Sequence, residues 1–266
     1  MIKISLFAFL SGLILVSCQP EKTDVNEVGG RIHLKFSHLV NEESLVTDSL
    51  CYVNEAGNPY LINDVMYFIS DVYLYSSEGE ILHIDQQKII HYVDIHYDET
   101  LVWKVFDPIP EAVYDSISFV FGLSEERNIS FMFVNPPEVN MFWPTVLGGG
   151  YHYMMINGKW KNEQLDIVPF DFHLGIGQIY SGNTTNTDSI TGFAQNYFEV
   201  TLPLQNFEIK EGDTTTIEIA MNIDSWFRTP HIWDFNYWGG AIMQNQEAMN
   251  TAKENGFDVF EIVKIY

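Results

Sequence analysis

From Arg31 to His38 the side chains alternate, with Ile32, Leu34, Phe36 and His38 on one side and His33, Lys35 and Ser37 on the other. A period of two builds a half-buried strand and cannot build a helix. The alternation returns over Lys88 to Tyr97 and Tyr114 to Gly122, and further strands are read over Tyr60 to Tyr75, Ile81 to Ile84, Ile190 to Leu204, Thr214 to Ile223 and Phe257 to Tyr266, with a shorter run between Asp48 and Gly57. Asn54–Gly57, Ser76–Gly79 and Asp107–Pro110 supply the turn residues that separate these runs. One stretch, Ala241 to Glu254, carries apolar residues at helical spacing and is stopped by Asn255-Gly256. Many short strands and one helix predict an all-β fold, an antiparallel β-sandwich of immunoglobulin-like or barrel-like form with a short C-terminal helix.

The N-terminus has a different composition. Lys3, an apolar run from Ile4 to Val16 and then Leu15-Val16-Ser17-Cys18 have the layout of a bacterial lipoprotein signal. The run is too short for a comfortable membrane span. Residues 1–17 are therefore expected to be a signal peptide, with diacylglycerol attached to Cys18 and an acyl chain such as palmitate completing the anchor. Residues 18–30 read as a flexible polar tether, and 31–266 as one domain. That address places the chain on the bacterial outer membrane, held through its lipid alone, on the periplasmic or the cell-surface side.

Thirteen Lys and Arg against 36 Asp and Glu give a formal charge of −23. A surface so acidic repels nucleic acid and anionic membrane. Once Cys18 is lipidated, only Cys51 remains, so no intramolecular disulfide can form. Its apolar neighbours Leu50, Tyr52 and Val53 predict a buried thiol.

No Gly-x-Ser-x-Gly, His-Glu-x-x-His or phosphate-cradling glycine motif occurs, so the chain is read as a binding protein without turnover. The richest set of chemical groups is the eight histidines. Imidazole suits copper and zinc, and an exported chain without spare thiols must use nitrogen, oxygen or thioether ligands. One unusual stretch, Asn140-Met-Phe-Trp-Pro-Thr-Val-Leu-Gly-Gly-Gly-Tyr-His-Tyr153, is too apolar for a solvated loop and too rich in glycine and proline for a helix. A second aromatic concentration, Trp226 to Trp238, offers Trp233 and Trp238 as stacking platforms for a surface glycan or protein ligand, or else forms a lid that brings in His231.

Phe36-Ser-His38, Tyr67-Phe-Ile-Ser70-Asp-Val-Tyr-Leu74 with Gly79, Ile117-Ser-Phe119 with Gly122, Asn140-Met-Phe-Trp143 with Gly150-Tyr151, and Phe172-His-Leu-Gly175 occur in the order seen in MbnP-like proteins. The chain resembles that family over residues 31–266. These are exported copper-binding proteins, often lipoproteins of Bacteroidota. The resemblance implies a β-sandwich that binds copper through histidine, an oxidised tryptophan (kynurenine) at or near the metal, and a di-haem peroxidase-like protein as the agent of that oxidation. By position, His38 and His173 match the recurrent histidines and Trp143 the tryptophan, with His152 and His231 as further imidazoles. The family's second tryptophan, two residues on, is replaced by Thr145.

Overall fold

The computed structural model describes residues 29–182 and 185–266. The expected signal peptide (residues 1–17) and the expected lipidation site, Cys18, lie outside the described residues. The strands that position the site are β1 (Arg31–Val40), β2 (Pro59–Ser76), β3 (Ile90–Asp94), β4 (Ala112–Phe121), β5 (Met154–Lys161), β6 (Ile167–Leu174), β7 (Phe198–Ile209), β8 (Thr214–Asn222) and β9 (Phe260–Ile265). They form two packed sheets, a β-sandwich as the alternation predicts. The larger sheet runs β6-β5-β2-β4-β7, with β3 also pairing with β2; the smaller runs β9-β8-β1.

Every pairing in the larger sheet is antiparallel, whereas β1 lies parallel to β8 over Arg31–Leu39. A parallel pair needs a long crossover, and here nearly the whole larger sheet intervenes between β1 and β8. Pro169 and Pro203 sit in β6 and β7, the two edge strands of the larger sheet. An edge is where a missing N–H leaves no central ladder bond unmade.

The alternation in β1 is realised in full: Ile32, Leu34, Phe36, His38 and Val40 are buried and their neighbours half-buried. They face the inner side of β2, where Tyr67 meets Phe36 at 6.3 Å and His38 at 5.7 Å between ring centroids. The middle of β2 is buried on both faces, from Tyr67 to Val72. The second cover comes from residues 124–153, which lie on the outer face of the sheet: Phe68 stacks on Phe133 at 5.4 Å and meets Tyr151 at 6.3 Å. A strand covered on both sides loses the apolar–polar alternation and becomes a continuous apolar run.

Several sequence expectations change. The helix is α1 (Gln246–Asn255), starting five residues later than the spacing predicts, because Asn245 caps it by accepting from the Ala248 N–H. Ile190–Leu204 divides into Ile190–Ala194, which pairs with Gly177–Tyr180, and the start of β7. Cys51 is exposed rather than buried: it lies just before the short strand Tyr52–Val53, where Tyr52 takes the inward position.

Candidate metal centre

The Asn140–Tyr153 stretch folds back on itself over the outer face. Trp143 N–H donates to the Gly150 carbonyl at 2.8 Å, closing a compact loop whose last residues are Gly148, Gly149 and Gly150, with φ of 116°, 73° and 78°. Three successive positive φ values are open to glycine and costly for any other residue, which accounts for the triplet. Ser130 Oγ accepts from the Gly150 N–H and Asn128 Oδ1 from the Tyr151 N–H, so residues 124–138 strap the loop down. Inside it Trp143 is fully buried, its indole N–H donating to the Leu147 carbonyl at 3.0 Å. A Cβ on Gly175 would lie 2.6 Å from the indole ring; only glycine lets that ring seat against β6.

This loop delivers His152 to His173. The two ring centroids are 5.1 Å apart with the planes at 89°, and His152 meets Trp143 edge to face at 4.6 Å. Each imidazole is held by a hydrogen bond from one nitrogen. His152 Nδ1 lies 2.9 Å from the Met141 carbonyl, which can only accept, so the proton is on Nδ1 and the lone pair on Nε2. His173 Nε2 lies 2.7 Å from Asn157 Oδ1. The Asn157 amide is itself oriented by donation from Nδ2 to Asp64 Oδ2 at 3.1 Å, and the other Asp64 oxygen meets His96 Nε2 at 2.9 Å. Oδ1 therefore faces His173 as an acceptor, and the lone pair of His173 is on Nδ1. Metal-binding histidines share this pattern, one nitrogen anchored to an acceptor and the other free.

Burial pushes the pKa of both rings down to about 4, for His152 with a further contribution from His173 beside it. Both are thus neutral through the ordinary histidine range, the form a metal requires. Beside His173 stands Met155, its direct cross-strand partner, and beside Met155 stands Met66. Among the described residues no three His, Cys, Asp or Glu side chains are grouped to hold a metal. The donor set is two imidazoles, with thioethers one strand away.

His38 does not join them. It lies on the inner face of the sandwich against Tyr67, whereas His173 shares the outer face with Met155 and Asn157. Strand alternation puts Tyr67 and Met66 on opposite sides of β2, so the larger sheet separates His38 from the pair. The expected approach of His38 to His173 is corrected: the ring that the structure brings to His173 is that of His152. His231 is also elsewhere: its ring meets Glu254 and its N–H donates to Asn255 Oδ1, both on α1.

The Trp226–Trp238 platform is corrected as well. Trp226 and Trp233 are fully buried, and Trp233 stacks on Trp238 at 5.3 Å, covering a face that a sugar would need. These rings are core: Trp233 packs on Phe172, and Trp226 on Phe121. Sequence reasoning missed the roles of Asn157, Asp64 and His96; the pairing of β5 with β2 and β6 unites them, and no short motif encodes it.

A family model described as MbnP matches residues 29–248. No curated protein matches. Among solved structures, MbnP from Methylosinus trichosporium is similar at 13% identity and a TM-score of 0.49, over 76% of this chain and 79% of that one.

Proposed function

The chain belongs to the MbnP family, and from that premise we propose that it is an envelope lipoprotein that binds a copper ion between His152 and His173 and holds it or passes it on without turnover. Family membership supports a metal-related role. The observation that carries the choice of residues is the pair of anchored rings: each imidazole donates one N–H to a fixed acceptor and keeps its other nitrogen unbonded, beside a buried indole. Imidazole nitrogen with thioether sulfur nearby is a donor set that suits copper and disfavours magnesium or calcium.

Three further elements complete the reading. Trp143 is the residue whose oxidation to kynurenine would place a new polar group at the His152 ring, with a di-haem peroxidase-like protein as oxidant. Cys18 carries the lipid, and the outer membrane is the location. Copper analysis of the purified chain tests the centre. Stoichiometric copper that is lost in both His152→Ala and His173→Ala supports it; copper retained in either variant refutes the assignment of that ligand. A mass gain on the Trp143 peptide after exposure to the oxidising partner tests the modification.

A further inference from the structure

A second concave site opens on the same outer face. It is a cavity of about 430 Å³ between β3, the turn at Tyr97–Thr100 and residues Phe133–Glu138. That volume lies in the range of small-molecule sites. Its apolar side is built from rings: Phe133 stacked on Phe68 at 5.4 Å and 7°, and Tyr92 against Phe68 at 5.5 Å. Pro136 and Pro137 close that side.

The polar groups at the cavity carry both signs. Lys88 Nζ lies 3.5 Å from His91 Nδ1. His91 Nε2 faces the Thr100 carbonyl at 2.7 Å, which fixes its proton there and leaves Nδ1 as the acceptor for the ammonium. Glu99 and Glu138 line the same cavity. Among the described residues, none of these three charged groups forms an ion pair with another side chain. In a chain with 36 acidic and 13 basic residues, a cavity lined by a lysine and two carboxylates presents both signs of charge to a ligand. A ligand with a single charge is attracted by one of these signs and repelled by the other. A ligand with both signs can be attracted by both.

We propose that this cavity binds a small aromatic zwitterion of the free amino acid class, with its carboxylate at Lys88, its ammonium at Glu99 and Glu138, and its ring against Phe133 and the two prolines. The ring faces supply a stacking surface, and the separated charges select for the zwitterion. The site is independent of copper: none of its lining residues contributes to the His152–His173 pair.

Isothermal titration of the purified full chain tests it with three probes: L-phenylalanine, 3-phenylpropionate, which lacks the ammonium, and phenethylamine, which lacks the carboxylate. Phenylalanine is expected to bind about tenfold tighter than either, the scale of one lost charged hydrogen bond. Lys88→Met should weaken phenylalanine and phenylpropionate about tenfold and bind phenethylamine as well as or better than the unmodified chain, with Lys88→Arg restoring binding of the first two. Glu138→Gln should weaken phenylalanine and phenethylamine and spare phenylpropionate. Unchanged circular dichroism and copper content in each variant show that the fold is intact. Absence of binding by phenylalanine, equal binding of all three probes, or a Lys88→Met effect that falls equally on phenethylamine would each overturn the assignment.

Discussion

His38 packs against the inner face of the larger sheet and the His152–His173 pair lies on its outer face, and the two are held differently. On the inner face His38 is wedged against Tyr67, burial pushes its pKa down to about 4, and its Nε2 has no hydrogen-bond partner among the described residues. On the outer face His152 and His173 are lowered to about the same value, yet each is tied by one nitrogen to a fixed acceptor. Burial alone makes an imidazole neutral. Only a hydrogen-bonded frame chooses which nitrogen keeps its lone pair and where that lone pair points. His38 is a core residue with an unmet polar atom among the described residues; His152 and His173 each have one nitrogen fixed by an acceptor.

The sharpest way to break this contrast is to remove one histidine from each face. His173→Ala should lower copper affinity more than about 100-fold, beyond the loss typical of an outer-shell change. His38→Ala should leave copper affinity within about threefold, the difference that small structural relaxations produce, while lowering stability, because it empties buried volume. Chelator competition and denaturant unfolding on both variants decide it. Copper loss in His38→Ala equal to that in His173→Ala would mean that the two faces are not distinct.

Acid should act next most strongly, and the share that comes from His38 can be isolated. His38 has its folded pKa depressed from 6.5 to about 4, by burial. Above pH 6.5 it is neutral in both folded and unfolded chains and contributes no pH dependence. As pH falls from 6.5 towards 4, the unfolded chain takes up a proton that the folded chain refuses, so stability drops, by about 3 kcal/mol once pH is below both values. His38→Leu, of similar bulk and with no proton to gain, should lose less stability across that window than the unmodified chain. The measurement is urea unfolding at pH 7 and pH 4.5, read as the difference of differences so that carboxylates common to both proteins cancel.

The same two faces explain what could be read without a structure. Alternation from Ile32 to His38 gives β1, because one face meets the core and the other does not, and the long β-rich run from Tyr60 to Tyr75 closely matches β2. Met154 to Lys161 carries no clean alternation in sequence. Its neighbours bury Met154 and Ile156 on one side and leave Met155 and Asn157 half-covered on the other, which blurs the pattern. That strand joins Asp64 to His173, so the outer frame stayed hidden with it. His38 and His173 share a sequence context, each ending an apolar alternation, and nothing local says that the sheet will pass between them. The buried Trp233 failed as a platform for a related reason: aromatic density records contact area, and the fold decides whether the contact is with core or ligand.

Weakening the frame without touching a ligand should have an intermediate effect. Asn157→Leu removes the acceptor of the His173 N–H and the donor to Asp64 together. Copper affinity should fall about 10- to 100-fold, with full stoichiometry still reached at saturation. Asn157→Asp keeps an acceptor at His173 and should recover most of the loss. An unchanged affinity in Asn157→Leu would show that burial by itself orients the ring, and the contrast between the faces would lose its basis.

The smallest effect is expected at Trp143, and it separates packing from chemistry. Trp143→Phe deletes the indole N–H that donates to the Leu147 carbonyl, but Gln178 Nε2 also donates to that carbonyl at 2.8 Å, so the oxygen is not orphaned. The loss of one redundant hydrogen bond costs about 1 kcal/mol, with a further contribution from the smaller ring. If the indole serves only to pack against His152, copper affinity should follow stability and change little. If its oxidised form contributes to the centre, copper retained by protein made alongside the oxidising partner should fall far more than the unfolding midpoint does. Measuring both on the same preparations tells whether the outer face offers two fixed imidazoles alone or two imidazoles and a modified ring.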